Sequence, residues 1–132
     1  MRIEIAGGLP LVELRLGHAG RAVMIPRVLV DTGSGSTVLS SARAKEIGLV
    51  IDPQDPIRTL RGVGGMEVVF VKRVDYIQVD RRKFKNFEVE LSPLNYGLEI
   101  NGILGLDFLT ATRAIVDLKH MQLRFGRATR EI

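Results

Sequence analysis

The stretch VLVDTGSGSTVL, from Val28 to Leu39, places one aspartate in a loop of small and hydroxylated residues between two apolar runs. Asp-Thr-Gly alone is a common turn sequence, because Asp favours the first turn position and Gly accepts a positive φ. Here the flanking residues are continuously apolar, unlike the alternating strands of a hairpin with one solvated face. A buried carboxylate needs hydrogen-bond donors, and the loop supplies hydroxyl and backbone N–H groups. The stretch therefore predicts that Asp31 is held at a strand end for chemistry.

Two other segments carry a glycine where a strand breaks or turns. Residues 101–109, NGILGLDFL, predict a short buried strand that breaks at Gly105 and continues as a helix to about Thr110. Residues 61–66, RGVGGM, form a glycine-dense tip between strand-like runs at 57–60 and 67–74. The tip lacks the lysine and the following helix of a phosphate-binding loop. Taken alone, the two segments are an ordinary corner of the core and a mobile hairpin.

In this order, the three segments resemble the retropepsin-type aspartic proteases, over about Val28 to Phe125. The resemblance implies that Asp31, Thr32 and Gly33 form the catalytic loop and that Gly105 and Asp107 support it. It also implies a glycine-rich flap and apolar pocket walls. The substrate-binding residues so implied are Ser34, Val38, Gly62, Val63, Gly64, Gly65, Ile103 and Leu104.

The sequence departs from the viral members of that family at two matching places. Viral members often carry an aspartate shortly after Asp-Thr-Gly and an arginine just after the later glycine, and these two pair. Here Gly35 and Leu106 stand at those places, so no charge is left without its partner. The segment from Gly105 to Leu109 is more similar to the cellular and bacterial members. A different arrangement around Asp107 is therefore expected.

The chain contains a single Asp-Thr-Gly motif, which indicates how many chains are needed to form the catalytic site. Peptide hydrolysis without a metal or a nucleophilic side chain needs one carboxylate to take a proton from water and a second acid to protonate the substrate. The other aspartates lack such a loop, and Asp107 instead opens a helix, where a carboxylate is favourable in its own right. The second carboxylate is therefore expected to be Asp31 of another copy, in a two-fold homodimer. The expected substrate is an extended peptide or protein segment with hydrophobic residues around the cut.

Length and composition limit the number of domains and the kinds of site and partner that the chain can have. The 132 residues fit one domain, 1–132, with 127–132 as a possible loose tail. There is no cysteine, which excludes disulfides and thiolate chemistry and fits a cytoplasmic protein. Two scattered histidines predict no metal and no cofactor. No apolar run approaches the roughly 20 residues of a membrane-spanning helix, so no membrane partner is expected.

The fold class follows from a period of two along most of the chain. Residues 12–16, 87–91 and 121–125 alternate apolar and polar side chains, which predicts half-buried strands with Glu88 and Glu90 on the polar face. Frequent turns between short strands favour an all-β sandwich or closed barrel. Two short helices interrupt it, and the first is capped at Ser40 or Ser41 and ends before Gly48. The resemblance implies the retropepsin-like half-lobe.

Two other functions compete with an aspartic endopeptidase. A non-catalytic dimerisation or peptide-binding module could use the same fold, although such a module has no need of the intact Asp31-Thr32-Gly33. A small β-barrel that binds nucleic acid would use the net charge of +4. Its aromatic residues are sparse and are not interleaved with the basic residues as base-stacking platforms would be. We therefore expect no nucleic-acid partner.

Overall fold

The computed structural model describes residues 1–62, 65–94, 97 and 99–127, with the backbone alone described at 60–62 and 65. The described residues form ten strands and two short helices. These are β1 (Glu4–Ala6), β2 (Leu9–His18), β3 (Arg21–Val30), β4 (Val38–Ser40), α1 (Ser41–Lys45), β5 (Ile57–Gly62), β6 (Gly65–Val79), β7 (Arg82–Ser92), β8 (Gly102–Leu104), α2 (Leu106–Ala111), β9 (Ala114–Asp117) and β10 (Gln122–Phe125). The expectation of an all-β chain with short helices is confirmed.

The main sheet closes on itself into a barrel. Its eight strands run in the order β1-β2-β3-β8-β4-β7-β6-β5, and β6 also pairs with β2. The extra pairing joins Arg15, Leu16 and Gly17 of β2 to Gln78, Ile77 and Tyr76 of the long strand β6. The strands β9 and β10 form a separate antiparallel pair.

The barrel interior holds the hydrophobic core, and Phe108 lies at its base. Phe108 is fully buried, and its ring meets the rings of Phe84, Phe87 and Phe125 edge-on at centroid distances of 5.3, 5.3 and 6.2 Å. Edge-to-face contacts of this kind stabilise beyond the area they bury. Since Phe108 belongs to α2, these contacts fix the short helix against the sheet.

The opposite face of the same strands carries a second line of side chains, which we call the outer row. Directly paired residues of adjacent strands lie on one face of a sheet. The outer row crosses β3, β8, β4, β7 and β6 and consists of Leu29, Ile103, Val38, Glu90 and Val71. Asp31 lies two residues beyond Leu29, which places it on the same side of the sheet as this row.

Both helices begin and end close to where the sequence predicts. The Ser40 hydroxyl accepts a hydrogen bond from the N–H of Arg43 at 3.3 Å and caps α1, and Gly48 adopts a φ of +78° beyond its end. The second helix extends one residue past the predicted Thr110. None of the helices in the described ranges is long and apolar enough to cross a membrane. The single-domain assignment stays a prediction, and residues 128–132 of the expected tail lie outside the described residues.

An ion pair on β6 makes stability depend on acid pH. The Lys72 ammonium donates to Asp55 Oδ1 at 2.9 Å, and the N–H of Asp52 donates to Oδ2 at 2.7 Å. The bond from Lys72, and then that from Asp52, lowers the pKa of Asp55 below its ordinary value. The pair therefore stabilises the folded state above the pKa of the unfolded carboxyl, and this contribution is lost as the pH falls through the folded pKa.

We expect Asp55→Asn to lower the denaturant midpoint near neutral pH, with the difference from wild type closing at acid pH. Both proteins then carry a neutral side chain at this position, so the folded states become equivalent. Urea titrations between about pH 2 and pH 7 measure the difference. The exposed Glu13, changed to Gln, is the matched control. A difference in urea midpoint between wild type and Asp55→Asn that stays constant across this pH range would contradict the stabilising role of the ionised Asp55.

Candidate active site

Asp31 stands directly after β3, at the point where the ladder to β8 ends. Its N–H donates to the carbonyl of Leu104 at 3.0 Å, so the parallel pairing of β3 and β8 continues to this residue. Its Oδ1 accepts a hydrogen bond from the N–H of Gly33 at 2.9 Å. Within the described residues, Oδ2 has no hydrogen-bond partner and Asp31 makes no ion pair. The carboxylate is half-buried, with one oxygen held and the other free.

The loop after Asp31 turns sharply and exposes its tip. The N–H of Ser34 donates to the carbonyl of Asp31 at 3.2 Å and closes the turn, and Thr32 and Gly33 are exposed. The Ser34 hydroxyl donates to the carbonyl of Ser36 at 2.8 Å, so in the single chain it holds the loop and does not contact the carboxylate. The tip is therefore available to a neighbouring molecule.

The loop rests on Gly105, which is the N-cap of α2. The N–H of Leu106 donates to the carbonyl of Ser34 at 2.7 Å. A Cβ at Gly105 would overlap the carbonyl group of Ser36 and lie 3.0 Å from the carbonyl oxygen of Ser34. Glycine is needed here because the loop backbone occupies the space of a side chain.

A second support joins Thr37 to Asp107. The Thr37 hydroxyl donates to Asp107 Oδ1 at 2.8 Å, and the Thr37 N–H donates to Oδ2 at 3.2 Å. The same hydroxyl accepts from the N–H of Gly105 at 3.1 Å, and Asp107 Oδ1 accepts from the N–H of Phe108 at 2.7 Å. Thr37 is fully buried, so these bonds form away from water. The start of α2 and the end of the loop are thus bound together.

The predicted pocket residues lie on different faces of the sheet. Val38 and Ile103 belong to the outer row, on the side of Asp31. Leu104 is fully buried in the barrel core, on the other face of β8, because successive residues of a strand alternate between faces. Leu104 therefore lies on the opposite face of the sheet from Asp31, and its role as a pocket wall stays a prediction.

The predicted flap is a hairpin of β5 and β6. Its last described pair joins Gly62 to Gly65. Val63 and Gly64, which connect these two glycines and were predicted to contact substrate, lie outside the described residues.

Two residues of this region did not stand out in the sequence. Thr37 is a plain threonine before an apolar pair, and nothing near it in sequence marks a bond to Asp107. Glu90 was expected on a polar face, yet it is only 1% exposed. Its backbone explains this placement, because Glu90 lies between β4 and β6 with Val38 and Val71 directly beside it.

The described residues hold no group of three or more His, Asp or Glu side chains arranged for a metal ion. The chemistry that the geometry offers is that of a carboxylate at an exposed loop, fixed from beneath by two sets of hydrogen bonds. A carboxylate with one free oxygen can accept a proton from water when a second acid lies opposite.

Comparison with solved structures identifies the fold. The chain is similar to a retropepsin-like aspartic protease from Rickettsia conorii, with a TM-score of 0.64 and 15% identity over 94% of this chain and 97% of that one. It is also similar to the retroviral protease-like domain of Ddi1 from Leishmania major, with a TM-score of 0.59 and 17% identity over 92% of this chain and 86% of that one. The protease of EIAV, in complex with the inhibitor HBY-793, gives a TM-score of 0.59 and 22% identity over 83% of this chain and 93% of that one. The chain therefore has the retropepsin-like fold.

Comparison of sequences identifies the family. A search of the curated proteins finds no significant match. The family model described as "Aspartyl protease" matches residues 12–108, which include the Asp31 loop and its support at Gly105 and Asp107. This match spans most of the chain, and the chain belongs to the aspartyl protease family.

Proposed function

We propose that this protein is an aspartic endopeptidase that works as a homodimer. The observation that carries the proposal is the Asp31 carboxylate, which has one oxygen held by Gly33 and the other free at an exposed loop. A carboxylate kept only for structure would have both oxygens engaged, as Asp107 has. The aspartyl protease family supports the reaction class.

The second carboxylate is proposed to be Asp31 of a second copy. The 132 residues contain one Asp-Thr-Gly, so one chain supplies half of the catalytic pair. A two-fold axis beside the exposed loop would bring the two Asp31 side chains together. Two carboxylates in contact share one proton, because both cannot readily be ionised at once.

The proposed reaction uses the two members of the pair in opposite roles. The ionised carboxylate takes a proton from a water molecule while the water oxygen attacks the peptide carbonyl carbon. The protonated carboxylic acid gives its proton to the carbonyl oxygen, which forms a tetrahedral diol. One hydroxyl of the diol then gives its proton to the carboxylate that is now ionised. The C–N bond breaks as the leaving nitrogen receives the proton that the other carboxylate took from water. The free Oδ2 supports a role for Asp31 in contact with water.

The loop residues beside Asp31 are proposed to serve the dimer and the substrate. Thr32 is exposed, and by family resemblance its hydroxyl would bond across the axis to the opposite loop. The N–H of Gly33 would hold the carboxylate in its orientation, as it does in the single chain at 2.9 Å. Ser34 would bond the outer carboxylate oxygen or the substrate backbone once its bond to Ser36 is given up.

The substrate is proposed to be an extended peptide that lies along the outer row. Extended peptides are recognised by main-chain hydrogen bonds, with pockets for alternate side chains. Val38 and Ile103 are apolar members of that row and would form pocket walls. The hairpin of Gly62, Val63, Gly64 and Gly65 would close over the peptide as a flap. Hydrophobic residues around the cut are expected.

Two wider assignments accompany this proposal. Residues 1–132 are proposed to form one domain, which the common hydrophobic core of β2, β3, β6, β7 and α2 supports. The protein is proposed to act in the cytoplasm, which the absence of cysteine supports.

The mass of the protein in solution tests the dimer. Light scattering at micromolar concentration is expected to give twice the chain mass, at least with a peptide-based aspartic protease inhibitor bound. A synthetic peptide library, analysed by mass spectrometry, is expected to show internal cleavage by the same sample. A strict monomer in both conditions would leave the catalytic pair incomplete and defeat the proposal. Dimers that bind peptides without cleaving them would favour the non-catalytic module.

A further inference from the structure

Glu90 is a buried carboxylate that the proposed catalytic mechanism does not use. Its side chain is 2% exposed, and neither carboxylate oxygen has a hydrogen-bond partner in the described ranges. Burial of a carboxylate without donors costs several kcal/mol, so buried carboxylates are ordinarily paired. Glu90 lies in the outer row on β7, which β8 and β4 separate from the strand that ends at Asp31, and its oxygens without donors leave room for a partner from outside the chain.

Among the described residues, two arginines beside this part of β7 make their hydrogen bonds to groups other than Glu90. Arg58 of β5 forms an ion pair with Glu90, and its Nη1 lies 3.9 Å from Glu90 Oε2, too far for a hydrogen bond. The other terminal nitrogen of Arg58 donates to Glu88 at 3.1 Å. Arg73, which pairs with Glu88 across β6 and β7, donates instead to the carbonyl of Asn86 at 2.6 Å. Arg58 therefore gives Glu90 a long ion pair, and neither arginine donates a hydrogen bond to its oxygens.

The surroundings of Glu90 along the row are apolar. Val38 and Val71, directly beside it, are 1% and 9% exposed. The side chain of Arg58 is 48% exposed, so solvent is accessible to its guanidinium when another cation approaches Glu90. Apolar walls that end at a carboxylate match a long basic side chain, whose methylene groups pack on apolar surface while its charged end finds an acceptor.

We propose that Glu90 is the base of a substrate subsite that takes a lysine or arginine side chain from the peptide. The proposal rests on the proposed peptide-binding role of the outer row and adds a substrate class to it. The incoming side chain would replace Arg58 at Glu90 and lie between Val38 and Val71. The protein would then prefer a basic residue at one position of a peptide whose other recognised residues are hydrophobic.

The test compares Glu90→Gln with Glu88→Gln. Both changes remove one negative charge from the same face of β7, but Glu88 is the exposed member, at 45%. A positional library of synthetic decapeptides measures the preference at each position, and fluorescence anisotropy measures binding of labelled members to the same proteins. We expect one position at which wild type prefers lysine or arginine over norleucine about tenfold or more, as a charged hydrogen bond implies. Glu90→Gln is expected to abolish that preference and Glu88→Gln to keep it.

Thermal unfolding separates this role from a structural ion pair. If the Glu90 oxygens lack donors until a ligand binds, Glu90→Met removes a buried charge and is expected to raise the Tm. If instead Glu90 stabilises the fold through Arg58, Glu90→Met lowers the Tm, and this result would overturn the proposal.

The library results separate this inference from the proposed proteolysis. Cleavage by wild type with no position sensitive to Glu90→Gln would overturn the subsite and leave the protease intact. Glu90-dependent binding of basic peptides without any cleavage would support the subsite and defeat the protease. The absence of both binding and cleavage would overturn both.

Discussion

Asp31→Asn is expected to lower kcat/KM for peptide cleavage by about 10²–10⁴-fold, because the loss of a positioned general acid–base typically costs that much. Asparagine keeps the shape of the side chain, and its carbonyl oxygen can still accept the N–H of Gly33, which is 2.9 Å from Oδ1. It cannot ionise or take a proton from water. The variant is therefore expected to keep its Tm, its dimer mass and its affinity for peptides. On one preparation, cleavage assays measure kcat/KM, thermal unfolding measures the Tm, light scattering measures the mass, and fluorescence anisotropy measures peptide affinity.

A mixing experiment makes this prediction specific to a shared site. An excess of Asp31→Asn added to wild type is expected to reduce activity as subunits exchange, because a mixed dimer holds a single ionisable carboxylate. Asp75→Asn, a change at an aspartate that is 58% exposed on β6, is the matched control and is expected to leave activity unchanged. Substantial cleavage by purified Asp31→Asn would place the chemistry elsewhere in the chain.

The Asp31 loop could be predicted from sequence because its requirements are local. The turn needs Asp31 and Gly33 at fixed spacing, and the apolar runs on both sides show that it lies at the end of a buried strand. The role of Gly105 could also be predicted from sequence, since a glycine at a strand break marks a close backbone approach. The partner that approaches it, the carbonyl group of Ser36, comes from a distant part of the sequence.

The face of the sheet on which each strand residue lies was harder to predict. In β8, Ile103 and Leu104 are both apolar, so no alternation shows that Ile103 faces the outer row and Leu104 the core. In β7 the alternation of apolar and polar residues was clear, but it did not predict burial. Glu88 is exposed and Glu90 is buried, although both lie on the same face. Burial there depends on neighbouring strands that no local pattern reveals.

The closure of the barrel and the bond between Thr37 and Asp107 were beyond sequence analysis for the same reason. The pairing of β2 with β6 joins residues about 60 positions apart, and its register depends on the twist of the whole sheet. Thr37 and Asp107 are likewise brought together by the pairing of β8 with both β3 and β4. Such contacts follow from the fold and cannot be read from either segment alone.

Gly105→Ala is expected to destabilise the protein by about 1–3 kcal/mol, as overpacking of a well-packed site does, and to lower kcat/KM about a hundredfold. The φ of −87° at Gly105 suits alanine, so the effect comes from the added Cβ, which would overlap the carbonyl group of Ser36. The loop would move away from α2, and Asp31 would move with it. Gly35→Ala is the matched control, because nothing lies within 4 Å of a Cβ there. Urea denaturation and cleavage kinetics measure both effects. If Gly105→Ala equalled Gly35→Ala in both, the loop would not depend on the support beneath it.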